Sequence, residues 1–210
     1  MRSSFAALVF ALAACGSNTP REQVDARAAD APLSPDAAPD AASPDAADVP
    51  CTYVAATTAN PQTLSFSFAG GGFATFGCAP IDPTYWMSGA GMSVTVTFAQ
   101  PQINPSVRVW GMNTDDTASF AVNGAAFTLD ATSASLAPKV VCGLSPGPDG
   151  VAFVGGKLAG ANTPGQGNYS YQDVTVNAVG VQTIKVTGLS GAGWGFVGAS
   201  VGCADEPVLR

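Results

Sequence analysis

Histidine is absent from this 210-residue chain, and Asp, Glu, Lys and Arg together make up only 11 % of it. Without an imidazole, Ser-His-Asp and Cys-His nucleophilic catalysis cannot operate, and zinc sites built on histidine fall away. Basic residues are scarcer than acidic ones, 8 Lys+Arg against 15 Asp+Glu, for a net charge of −7. Sequence-independent binding to nucleic acid draws its affinity from many Lys and Arg contacts to phosphate, so that class is excluded as well. Long apolar runs are missing too. Phe5–Ala14 is ten residues, about half of the roughly twenty that a membrane-spanning helix requires.

Paired carboxylates are also in short supply. The glutamates are Glu22 and Glu206, and beyond Cys51 the aspartates are Asp82, Asp115, Asp116, Asp130, Asp149, Asp173 and Asp205. A glycosidase needs two carboxyl groups facing one sugar bond. Asp115 and Asp116 are adjacent, and in extended chain neighbours point to opposite faces. None of Lys139, Lys157 and Lys185 is preceded by the serine of an S-x-x-K pair. These counts lead to the expectation that the chain is not an enzyme.

What is present divides into three parts. Residues 1–14 carry one basic residue, Arg2, and then the apolar run, and they end in small residues, as a secretory signal does. Residues 15–50 open on Cys15 and continue as a segment without an aromatic residue, in which Ala, Asp and Pro fill 22 of the 35 positions from Gly16 to Pro50. A Pro-Asp-Ala-Ala unit recurs at Pro35, Pro39 and Pro44. Proline blocks helix continuation and the aspartates repel one another, so the segment is expected to be a disordered, extended tether. At about 3.1 Å per residue it would reach roughly 110 Å.

From Cys51 to about residue 204 the pattern is of period two. Leu64–Phe68 and Met92–Phe98 alternate apolar with Ser or Thr, Asn123-Gly124 separates two strand-like runs as a tight hairpin would, and Ser106–Trp110, Val181–Val186 and Gly193–Val201 are strand-like. About ten short strands without an amphipathic helix predict an all-β, two-sheet β-sandwich, because the apolar face of one sheet needs another to cover it. Residues 205–210 are a tail. With Cys15 set apart, Cys51, Cys78, Cys142 and Cys203 form an even set in an exported chain. Two disulfides are expected, Cys51–Cys203 bracketing the domain and Cys78–Cys142 within it.

Two constellations bear on binding. Asn113, Asp115 and Asp116 place three oxygen-bearing side chains within four residues, a candidate loop for a structural calcium ion, which takes six to eight oxygen ligands; no other cofactor is expected. Tyr85, Trp86, Tyr169 and Tyr171 are flanked by turn residues and are expected to be exposed rings that bind a ligand, since aromatic rings stack on the apolar faces of sugars and anchor interfaces. Trp194, within a strand-like stretch, is expected in the core.

The ending Leu12-Ala13-Ala14-Cys15 resembles the lipobox of bacterial lipoproteins. The resemblance implies cleavage before Cys15, lipidation of its thiol and amine, and a membrane partner through those chains. The tether is similar to those of environmental Gram-negative lipoproteins. Gly16 and Ser17 put no aspartate after the cysteine, which favours the outer over the inner membrane. From about residue 60 to 203, the order of Ser93–Phe98, the Val107–Asp116 strand and loop, the Val122–Gly124 hairpin and the Gly-Trp strand resembles jelly-roll modules of galactose-binding-like or carbohydrate-binding type. The expectation is a tethered, non-catalytic envelope lipoprotein that recognises glycan or another envelope component. The alternative is a structural or adhesive protein-interaction module.

Overall fold

The structure is a computed structural model that describes residues 52–58, 61–87, 89–134, 138–142, 150–162 and 169–201. The signal, Cys15, the tether, Cys51, Cys203 and the tail lie outside the described residues. The first seven strands are β1 (Thr52–Ala55), β2 (Leu64–Ala69), β3 (Gly72–Ala74), β4 (Thr84–Met87), β5 (Ser93–Ile103), β6 (Ser106–Trp110) and β7 (Thr117–Val122). The rest are β8 (Ala125–Phe127), β9 (Lys139–Cys142), β10 (Val151–Val154), β11 (Lys157–Gly160), β12 (Tyr169–Thr175), β13 (Val179–Ser190) and β14 (Trp194–Val201), with one 3-10 turn at Ala131–Ser133.

The all-β expectation holds. Two seven-stranded antiparallel sheets form, the first in the order β3-β4-β14-β6-β12-β9 with β1 also on β14, the second in the order β10-β11-β7-β13-β5-β2 with β8 on β7. The alternation in the sequence decides which faces meet. On β5, Val94, Val96 and Phe98 are buried, while Thr95 and Thr97 point away from the core. From the first sheet, Val107, Val109, Val174, Trp194 and Phe196 meet them. Each such side chain contributes roughly 1.5–3 kcal/mol on burial. Trp194 lies in this core as expected.

The β7–β8 hairpin turns at Asn123-Gly124, both with positive φ, where asparagine and glycine are least strained. Asn123 is also tied to β13: its Oδ1 accepts from the N–H of Gln182 and of Thr183. β5 runs on through Pro101, where a turn would be the simpler reading. It can do so because the ladder with β13 slips between Thr97 and Gln102 and pairing with β2 ends at Phe98, so no ladder bond asks for an N–H that proline lacks. Cys78 is disulfide-bonded. The expected pairings Cys51–Cys203 and Cys78–Cys142 rest on side chains outside those described. Among the described residues no helix is long and apolar enough to cross a membrane.

Candidate functional site

Strand alternation assigns the aromatic residues of the first sheet to its two faces. In β4, Tyr85 turns inward and is 2 % exposed, packed against Phe68 with ring centroids 4.4 Å apart. Its neighbour Trp86 therefore turns outward. The expectation that Tyr85 is an exposed ligand ring is corrected: both residues belong to a strand, and adjacent strand residues cannot share a face. Burial raises the Tyr85 phenol above the ordinary tyrosine range.

The outer face is organised by register. Trp86 of β4 pairs with Gly195 of β14, Gly195 with Trp110 of β6, and Trp110 with Tyr171 of β12. A row of three aromatic residues thus crosses the strands, interrupted by one glycine. That glycine is required sterically. A Cβ at Gly195 would lie 2.5 Å from Thr84 Cγ2 and 2.8 Å from Trp110 Cε3, so the Trp110 ring lies over the bare backbone of β14. Trp86 and Trp110 lean toward one another across this gap, with ring centroids 6.2 Å apart. Tyr169 stands 5.3 Å from Trp110 on the other side. Phe76, from the segment after β3, sits on both tryptophans at 4.8 Å and 4.9 Å.

Beside this row lies a polar cluster. Arg108 is the register partner of Asp173 and bonds it with two N–H groups, Nε to Oδ1 at 2.6 Å and Nη2 to Oδ2 at 2.8 Å. Its guanidinium lies 4.3 Å from the centroid of Tyr53 and 4.7 Å from that of Tyr171, a cation held between two ring faces. Burial works against the Arg108 charge, and the bonds to Asp173 outweigh it, so the guanidinium pKa is raised. Desolvation drives the Tyr53 phenol far above its ordinary value, against the pull of Arg108.

Of the four rings expected to bind, Trp86, Tyr169 and Tyr171 share this outer face and Tyr85 does not. Sequence reasoning missed Trp110, Phe76, Tyr53, Arg108 and Asp173. The signal for Trp110 was present in Val107-Arg108-Val109-Trp110, whose alternation puts Arg108 and Trp110 on the face opposite the two valines.

The Asn113–Asp116 loop is braced by its own hydrogen bonds. Asp116 is 0 % exposed, and its carboxylate accepts from the N–H of Asn113 at 2.8 Å and of Gly193 at 3.0 Å. It closes its own turn and ties that turn to the segment entering β14. Asp115 is exposed, and its carbonyl accepts from the Ser190 hydroxyl at 2.9 Å. Burial raises the Asp116 pKa, against the two backbone bonds that lower it. Among the described residues no group of three or more His, Cys, Asp or Glu is placed to hold a metal ion.

No family model matches the chain, and no curated protein matches it. Solved structures to which the chain is similar include those of variant GH87 alpha-1,3-glucanase catalytic domains. One, in complex with tetrasaccharides, aligns at a TM-score of 0.43 and 13 % identity, over 75 % of this chain and 29 % of that one. Another, in complex with nigerose, aligns at 0.42 and 15 % identity over the same shares. At these values neither activity nor substrate transfers to this chain, which spans less than a third of their length. The expectation that the chain is not an enzyme is corrected: the solved structures it matches are glycoside hydrolase catalytic domains.

Proposed function

We propose that the folded domain binds glycan on the outer face of its first sheet, and that the chain carries this domain on a lipid-anchored tether in the bacterial envelope, at the outer membrane. The single observation that supports the binding reading is the register row Trp86–Gly195–Trp110–Tyr171, with Tyr169 beside it. Aromatic faces of this kind stack on the C–H faces of sugar rings. The neighbouring Arg108 is neutralised by Asp173, so the face favours a neutral glycan over an anionic one. The strand orders β4-β14-β6-β12 and β5-β13-β7-β11 are what supports reading the sandwich as a jelly roll. The lipobox residues Leu12–Cys15 support the anchor.

An adhesive module would be favoured by one large exposed apolar patch. Among the described residues the large exposed apolar side chains are instead divided: Phe73 against Tyr85, Phe76 against Trp86, the register pair Ile103 and Val179, and Val154 and Leu189.

The test is an array of bacterial and plant polysaccharides, probed with the chain from Gly16 onward with disulfides intact. Selective binding that falls at least tenfold in Trp86→Ala supports the reading. A blank array from folded protein overturns it.

A further inference from the structure

Among the described residues, three side-chain polar atoms are buried without a hydrogen-bond partner: Tyr53 Oη, Tyr85 Oη and Trp110 Nε1. Trp110 stands apart from Tyr85 because it belongs to the outer face, yet it is only 2 % exposed. A buried indole N–H without an acceptor costs stability and calls for an explanation. Phe76 is one of the rings that cover it, and Phe76 is not held by a strand. It follows β3, is 37 % exposed, and is positioned by a side chain six residues on. The Asp82 carboxylate accepts from the Phe76 N–H at 3.2 Å and from the Gly77 N–H at 2.7 Å. Both bonds are at the surface, where solvent can replace them; the disulfide at Cys78 pins the chain two residues on and leaves the Phe76 ring itself to these bonds and its ring contacts.

We propose that Phe76 is a cover over Trp110, that Asp82 is the latch holding it, and that the uncovered Trp110 Nε1–H donates a hydrogen bond to a sugar hydroxyl. The donor role rests on the glycan reading; the cover does not. In the closed state no ligand oxygen can reach the indole nitrogen. With Phe76 swung aside, Trp86 and Trp110 present adjoining ring faces and one free donor. A neutral hydroxyl fits that donor, because an indole N–H donates and cannot accept. Phe76 thus opposes binding until it moves, and Asp82 acts as a positioning residue through the Phe76–Gly77 backbone.

The experiment uses the nitrogen-15-labelled chain from Gly16 onward and follows solvent exchange of the three indole N–H groups, assigned with Trp110→Phe. Phe76→Ala and Asp82→Ala are expected to speed exchange at Trp110 roughly tenfold or more, as local opening becomes easier. Asp82→Asn, which keeps one acceptor oxygen, should fall between. Trp194, in the core, is the internal control and should not change. Exchange at Trp110 that is unaltered in Asp82→Ala overturns the latch. On the polysaccharide array, Phe76→Ala should bind more strongly than the unsubstituted chain. A loss of binding there would make Phe76 part of the platform and overturn the cover. If both arrays are blank, the glycan reading and the donor role of Trp110 fall together, while the exchange rates still decide the cover.

Discussion

Arg108 and Asp173 face each other in register across β6 and β12, and their side chains repeat that pairing with two parallel hydrogen bonds at 2.6 Å and 2.8 Å. Few arrangements let the backbone ladder and an ion pair set each other's geometry so directly. The guanidinium is also boxed between Tyr53 and Tyr171. The pair is only 20 % and 12 % exposed at its side chains, so losing one partner strands the other where water reaches it poorly. Asp173→Ala should destabilise the domain by about 2–4 kcal/mol. Adding Arg108→Ala should cost much less than a second such loss, because the stranded charge goes with it. Urea unfolding of the two single variants and the double variant measures this coupling.

Gly195→Ala tests the register row. Its new methyl would meet Thr84 and Trp110 at 2.5 Å and 2.8 Å, and both are packed. The expected cost is about 1–3 kcal/mol, that of an extra methylene forced into a filled site. Trp110 should also shift away from Trp86. The readouts are the thermal midpoint and near-ultraviolet circular dichroism of the tryptophans.

Asp116→Ala leaves the N–H groups of Asn113 and Gly193 without their acceptor. The expected loss is about 1–3 kcal/mol, seen as a lower denaturant midpoint.

The same residue gives a pH dependence of defined sign. Its folded pKa is raised by burial, so the folded state keeps this proton to higher pH than the unfolded state does. The associated stability is fully present below the ordinary aspartate value, about 3.9, and is lost as pH rises through the raised folded value. Asp116→Asn cannot titrate there. Across that window the unsubstituted chain should therefore lose stability relative to Asp116→Asn as pH rises, and unfolding curves taken at a series of pH values check the slope.

Tyr85→Phe removes a hydroxyl that is buried with no partner among the described residues while keeping the ring against Phe68 and Phe73. It should raise stability by about 1 kcal/mol. A lowered melting temperature would mean that the hydroxyl is satisfied after all.

The two-sheet architecture was legible because Thr95/Thr97 against Val94/Val96/Phe98 writes the face of β5 into the sequence. The Asn-Gly hairpin was legible for a similarly local reason. The site was legible only by residue type. Trp86, Tyr169 and Tyr171 were picked out as aromatic and flanked by turns, yet they sit in strands, and the same reasoning took Tyr85 for an exposed ring. What brings Trp86, Trp110 and Tyr171 into one row is the order β4-β14-β6-β12, a long-range pairing that no local window contains. The surroundings of Asp116 were not legible for a similar reason. Its Gly193 partner lies 77 residues away, so the carboxylate looks available in sequence and is engaged in the fold.

The pairing of β1 with β14, Thr52 opposite Val201 through Ala55 opposite Gly198, has a mechanical consequence. A pull that reaches Thr52 loads this four-rung ladder. β14 stays bound to β4 and β6 when β1 is peeled away. Peeling would, however, carry off Tyr53, one of the two rings that enclose Arg108. Tension on the segment that precedes the domain would thereby reach its outer face through Tyr53 and its core through Val54.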